Sequence, residues 1–206
     1  MKKIAFILAI IIGLSASARD FRFGADVGLD LSKASNTKGR TYPAYHVAFV
    51  GEYDFKSTTE GLFIAAKIGL NAKSWSHDFK IAIQSAKRIS HPHYIQMPVT
   101  IGYRLPLNDI ASLRIEAGPY FSAGLFGNSK VNIYNGTAKP YNYSEENCFG
   151  KDGLYSRFDT GISAGIGFTL FGHWEIGLNT NIQLNKFDST ENRSNRTFGL
   201  STGFLF

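Results

Sequence analysis

The sequence predicts an all-β protein, an eight-stranded antiparallel up-and-down transmembrane β-barrel. Three patterns predict it. A period of two recurs in eight segments with no helical period between them. The links between segments alternate between short and long. One register of every segment is apolar and free of charge, while the other holds ionisable and small residues.

The first segment, Phe21 to Ser32 ("FRFGADVGLDLS"), puts Phe21, Phe23, Ala25, Val27, Leu29 and Leu31 on one face. Arg22, Gly24, Asp26, Gly28 and Asp30 fall on the other. The second, Tyr45 to Phe55, sets Tyr45, Val47, Phe49, Tyr53 and Phe55 against His46, Glu52 and Asp54. The third, Leu62 to Ala72, sets Leu62, Ile64, Ala66, Ile68 and Leu70 against Lys67 and Asn71. In the fourth, "YIQMPVTIGYRL", Ile95, Met97, Val99, Ile101, Tyr103 and Leu105 oppose Gln96, Thr100 and Arg104. The fifth, Leu113 to Leu125, opposes Leu113, Ile115, Ala117, Phe121 and Leu125 to Arg114, Glu116, Tyr120 and Ser122. Phe158 to Leu170 and Trp174 to Leu184 repeat the pattern, with Asp159 and Glu175 in the polar register. The closing segment, Arg196 to Phe206, puts Phe198, Leu200, Thr202, Phe204 and Phe206 on the apolar side.

Short links (56–60, 106–112 and 172–173) and long ones (32–44, 73–94, 126–157 and 185–196) belong to a meander with turns at one end and loops at the other. That is the outer-membrane barrel pattern, and closure removes the edges that a flat sheet would expose. A soluble barrel with the apolar face inward would carry more Lys and Glu on its outer face. The polar register instead holds Gly24, Gly28, Gly69, Gly102, Gly118, Gly161 and Gly165, which suit the crowded inside of a narrow barrel. Aromatic residues gather at both ends of the apolar register. Phe21, Tyr53, Phe55, Tyr103, Trp174, Phe204 and Phe206 lie at the short-turn end; Tyr45, Phe158 and Phe198 lie near the other. Two such belts are expected at two membrane interfaces.

The N-terminus predicts export. Met1-Lys2-Lys3 is basic, Ile4 to Leu14 is apolar, and Ala16-Ser17-Ala18 supplies the small residues of a cleavage site. About eleven apolar residues fall short of the roughly twenty that a spanning helix needs. Residues 1–18 are therefore expected to be a signal peptide and residues 19–206 the barrel, which places the mature chain in the cell outer membrane. Without Lys2 and Lys3 the net charge of +6 falls to +4, with no basic cluster that would read as a nucleic-acid footprint. The single cysteine, Cys148, rules out an intramolecular disulfide.

Charged residues in the interior register are expected to form a polar network: Arg22, Asp26, Glu52, Lys67, Arg104, Arg114, Glu116, Asp159 and Glu175. Ions buried in a narrow barrel must pair or keep water. Phe204 and Phe206 are expected to serve as assembly signal and interfacial anchor. The loop from Phe126 to Arg157 carries Tyr134, Tyr141, Tyr143 and Tyr155 among small polar residues, a composition that suits an adaptable contact surface. No catalytic, cofactor-binding or metal site is expected. His91-Pro92-His93 offers two histidines, short of the three or four ligands of a zinc site, and no base is placed beside Cys148.

The phrases "YIQMPVTIGYRL", "IEAGPYFSAGLFG", "FDTGISAGIGF" and the terminal "LSTGFLF" together resemble the PorT-like, "porin family" outer-membrane β-barrel proteins of Bacteroidetes. His46 in the interior register and His173 in a short turn have no Ser/Glu pattern beside them, so a non-enzymatic barrel with a structural or interaction role is expected. The resemblance implies one alternative, an accessory barrel of a type IX-like secretion system; a small diffusion channel and a lipid A-modifying enzyme are further alternatives. Expected partners are outer-membrane lipid and lipopolysaccharide, the barrel-assembly machinery during insertion, and an unidentified protein reached through the extracellular loops.

Overall fold

The computed structural model describes residues 21–35, 40–81, 84–134, 142–149, 154–186 and 193–206. The expected signal peptide therefore lies outside the described residues. Ten strands follow in chain order: β1 (Phe21–Ala34), β2 (Tyr42–Asp54), β3 (Gly61–Ala72), β4 (Trp75–Ile81), β5 (Gln84–Pro106), β6 (Ala111–Tyr134), β7 (Asn142–Asn147), β8 (Phe158–Leu170), β9 (Trp174–Gln183) and β10 (Asn195–Leu205). Eight of them close a ring in the order β1, β2, β3, β5, β6, β8, β9, β10, with every neighbouring pair antiparallel.

The period of two fixes which residues face out. Leu29, Phe49, Ile101, Phe121, Ile166 and Leu200 are all more than half exposed on the outer surface. The lumen side holds the buried charges, among them Arg22, Asp26, Glu52, Arg104, Arg114 and Asp159. An exposed apolar belt around a buried polar interior reverses the soluble arrangement and suits a lipid solvent.

β5 and β6 run far beyond the expected segments, to 23 and 24 residues. A membrane crossing needs only about 9–11 residues per strand. Their upper halves pair up to Ser85 and Tyr134. β4 adds to the free side of β5 there, and β7 to the free side of β6, so a four-stranded sheet stands beyond the barrel at its long-loop end. The links 73–94 and 126–157, read from sequence as loops, thus contain strand. Outside lipid no face must be uniformly apolar, so alternation loses its signature. The register shifts between His93 and Tyr94, which pair with Phe126 and Gly124; Leu125 is the extra residue of a bulge where the barrel ends and the sheet begins.

Closure depends on the C-terminal strand. Eleven cross-strand partners join β1 to β10, from Gly24–Leu205 to Ala34–Asn195. The Phe206 amide donates to the Phe23 carbonyl at 2.7 Å. Phe204 packs between Trp174 and Phe206, with ring centroids 4.9 and 5.5 Å away. Across the seam Phe21 meets Phe23 and Tyr53. The terminal rings therefore form part of one aromatic girdle, with Phe206 72% exposed on the lipid side. Deleting Phe206, or the substitution Phe206→Asp, is expected to lower the amount of folded protein in the outer membrane, read by heat-modifiable gel mobility. Wild-type amounts would contradict this role.

Candidate functional site

The lumen is filled in three layers. The layer at the short-turn end is a lattice of guanidiniums and carboxylates. Glu52 on β2 accepts from Arg22 at 2.5 Å, from Arg114 at 2.6 Å, and from Arg104. Asp54 pairs with Arg104 and, at 2.8 Å, with Arg22. Glu175 on β9 pairs with Arg114 and, at 3.3 Å, with Arg104. Glu116 takes the second arm of Arg114 at 2.7 Å. The Phe63 ring lies 4.2 Å from both the Arg104 and the Arg114 guanidinium carbons, a cation–π platform between them. Gly102 makes room for that ring, since a Cβ there would stand 2.2 Å from Phe63 Cζ. Arg22 also donates to the Gly172 carbonyl in the β8–β9 turn. The lattice joins β1, β2, β5, β6 and β9 across the lumen.

The middle layer is looser. Lys67 on β3 reaches Asp26 at 3.2 Å. His46 bridges two carboxylates, with Nε2 2.9 Å from Asp26 and Nδ1 2.7 Å from Asp30. Thr100 donates to Glu116 at 2.9 Å. Two cavities of about 50 and 40 Å³ flank the Lys67–Asp26 pair. A water needs at least about 10–15 Å³, so each has room for a few. Gln96 Oε1, Asn181 Oδ1 and the Asn179 amide have no protein hydrogen-bond partner there, so water must satisfy them.

The third layer seals the long-loop end. Lys73 pairs with Asp159, to which the Tyr120 hydroxyl donates at 3.0 Å. The Lys73 ammonium lies 4.9 Å from the Tyr94 ring centroid and 4.8 Å from that of Tyr120. Above it Trp75, Tyr94, Cys148, Phe149 and Tyr155 form a buried apolar cluster. The Tyr155 hydroxyl lies 2.7 Å from Ser90 Oγ, which lies 2.9 Å from Ser129 Oγ. Cys148, Phe149 and Tyr155, which follow β7, thus pack into the barrel mouth. Burial pushes the Cys148 thiol up to about 12, which keeps it protonated and a poor nucleophile.

All nine charges expected in the interior lie in the lumen, but not in one network. Arg22, Glu52, Arg104, Arg114, Glu116 and Glu175 share the lattice; Asp26 and Lys67 occupy the middle; Asp159 belongs to the seal. The sequence reading missed Lys73, which it placed in a loop. The lumen register of β3 (residues 63, 65, 67, 69 and 71) reaches Lys73 in one more step, and that signal was available. Asp54 and His46 fall in the same interior register. Of the four loop tyrosines, Tyr155 needs correction: it is buried against Trp75, with ring centroids 5.2 Å apart, and offers no contact surface. Tyr134 is half-buried at the end of β6, Tyr143 lies in β7, and Tyr141 lies outside the described residues. His91 lies 3.0 Å from Ser74 Oγ and His93 stacks on Phe126 at 4.6 Å. Among the described residues no three potential ligands converge as a metal site.

A closed antiparallel ring with an apolar outer belt and a charge-filled lumen defines an integral outer-membrane β-barrel. The chain belongs to the outer membrane protein beta-barrel domain family, whose model matches residues 13–189. Similar solved structures include Ail, the attachment invasion locus protein of Yersinia pestis, at 12% identity and a TM-score of 0.45, covering 91% of this chain and 99% of that one. Neisserial surface protein A is 12% identical with a TM-score of 0.47, covering 90% and 97%. The outer membrane enzyme PagL is 12% identical with a TM-score of 0.44, covering 86% and 97%. These values are too low to transfer any neighbour's activity. No curated protein matches the sequence.

Glu52 is the carboxylate on which all three guanidiniums of the lattice converge. Removing one partner of a buried pair leaves uncompensated charge, and Glu52 has three partners. Glu52→Gln is expected to destabilise the barrel by about 3–5 kcal/mol, measured by urea unfolding in lipid vesicles. A loss below about 1 kcal/mol, the range of an exposed pair, would contradict the lattice.

Proposed function

We propose that this protein is a non-enzymatic outer-membrane barrel that presents a stiff sheet to the cell exterior as a contact surface. The observation that carries the reading is the continuation of β5 and β6 beyond the apolar belt, flanked by β4 and β7. Strands that share backbone pairing with the barrel hold that sheet upright, whereas a free loop would not. β7 is its outer strand on one side among the described residues, and an edge strand offers unpaired backbone groups to a partner's strand. Glu145 and Glu146 on β7 are exposed, at 3.7 Å from Lys130 and 3.3 Å from Arg88. Rim charges of this kind favour steering and register more than affinity.

A non-enzymatic role is supported by where His46 and His173 sit. His46 is held inside the lumen by two carboxylates. His173 at the short-turn end lies 2.7 Å from the Leu205 carbonyl and stacks on Phe204. Neither is placed on the lipid-facing surface beside a serine and an acid, as hydrolysis of a membrane lipid would need. Export through a cleaved signal peptide and insertion by the barrel-assembly machinery complete the reading. The PorT-like resemblance of the strand phrases supports an accessory role in type IX-like secretion as the second reading, and copurification with secretion components would favour it.

The long-loop end is proposed to be extracellular. Protease added to intact cells is expected to cut within residues 126–157, and a photo-crosslinker replacing exposed Lys130 is expected to capture a surface macromolecule that one replacing Lys56 does not. Cleavage only after the membrane is opened would contradict the orientation. A changed lipid A mass on overexpression would contradict the non-enzymatic reading.

A further inference from the structure

The outward faces of β1 and β10 form a ladder of cross-strand pairs: Ala25 with Phe204, Val27 with Thr202, Leu29 with Leu200, Leu31 with Phe198, and then Lys33 with Arg196. The apolar members Leu29, Leu31, Phe198 and Leu200 are each more than half exposed, as a lipid-facing strip requires. One two-residue step of about 6.6–6.8 Å separates the last apolar pair from the basic one. Two exposed cations therefore stand side by side where the apolar belt ends.

Among the described residues, no carboxylate offsets this juxtaposition. Directly opposed like charges destabilise an antiparallel pair. Neither Lys33 nor Arg196 makes an ion pair with a described carboxylate, whereas Lys56, Arg88 and Lys130 all do. Ser32 and Asn195, the inward neighbours, are neutral and bond each other at 3.0 Å. Among the described residues the site lacks an anion, and its height fits a lipid headgroup. Arg supplies a planar fork for two phosphate oxygens and Lys a point charge beside it. A phosphate monoester carries about −1.5 to −2 charge at neutral pH. Two adjacent cations match that charge; a phospholipid diester carries only a single negative charge.

We propose that Lys33 and Arg196 clamp a phosphate monoester of an outer-leaflet glycolipid of lipid A type, with its acyl chains on the Leu29, Leu31, Phe198 and Leu200 strip. The proposal rests on the extracellular placement of the long loops. It deepens that reading by naming a lipid and its site.

Native mass spectrometry of the protein in phosphatidylcholine nanodiscs tests it. The added lipids are phosphorylated lipid A, dephosphorylated lipid A and phosphatidylglycerol. The wild type is expected to retain phosphorylated lipid A at least tenfold better than either other lipid, and the Lys33→Gln, Arg196→Gln double variant is expected to lose that advantage. Lys33→Glu turns the repulsive pair into a cross-strand ion pair. It should fold at least as well as wild type in phosphatidylcholine, judged by heat-modifiable mobility, and still lose lipid A. Retention unchanged in either variant, or phosphatidylglycerol retained equally well, would overturn the site. Loops that resist protease on intact cells would defeat the orientation without altering retention in nanodiscs, so the two readings fail separately.

Discussion

Three guanidiniums, from Arg22, Arg104 and Arg114, converge on the single carboxylate of Glu52, and the rest of the barrel is arranged around that convergence. A barrel in lipid cannot gather its apolar side chains into a core, because they are already spent on the outer surface. The interior must then be held by polar contacts. Each buried ion costs several kcal/mol to desolvate, so a lone pair in the lumen would contribute little. Sharing changes the balance. Arg104 meets Glu52, Asp54 and Glu175, Arg114 meets Glu52, Glu116 and Glu175, and Phe63 backs both guanidiniums. Every member has more than one partner, and such sharing favours a buried network.

The same constraint explains the other two layers. Above the lattice the charges thin out, and amide side chains with no protein partner leave room for a few waters. Waters held there are expected to satisfy those groups without forming a continuous column. At the long-loop end, Lys73 and Asp159 repeat the pairing, and Phe149 and Tyr155 place a small apolar core over it. Water is thereby restricted from both directions. The barrel is a filled rod that carries a sheet at one end.

Much of this was legible in the sequence. Strict alternation gave all eight barrel strands and assigned Glu52, Arg104 and Arg114 to the lumen, because lipid on one side and a narrow interior on the other impose opposite chemistry on successive residues. Three things were not legible. Pairing across the lumen depends on strand stagger, which sets the heights at which residues face one another; Asp159 met Lys73, not one of the expected cations. The upper parts of β5 and β6 and the short strands β4 and β7 leave the lipid, and alternation there no longer sorts apolar from polar. Tyr155 looked like a surface residue from its polar neighbours, yet it packs against Trp75 and is buried.

The central claim is that the lumen is closed by its own side chains, and conductance across planar bilayers tests it most directly. Purified wild-type protein is expected to show no stable current steps over long recordings. Reproducible, ion-selective steps from the wild type that shift on the substitution Arg104→Ala would contradict the account and establish a pore through the lattice.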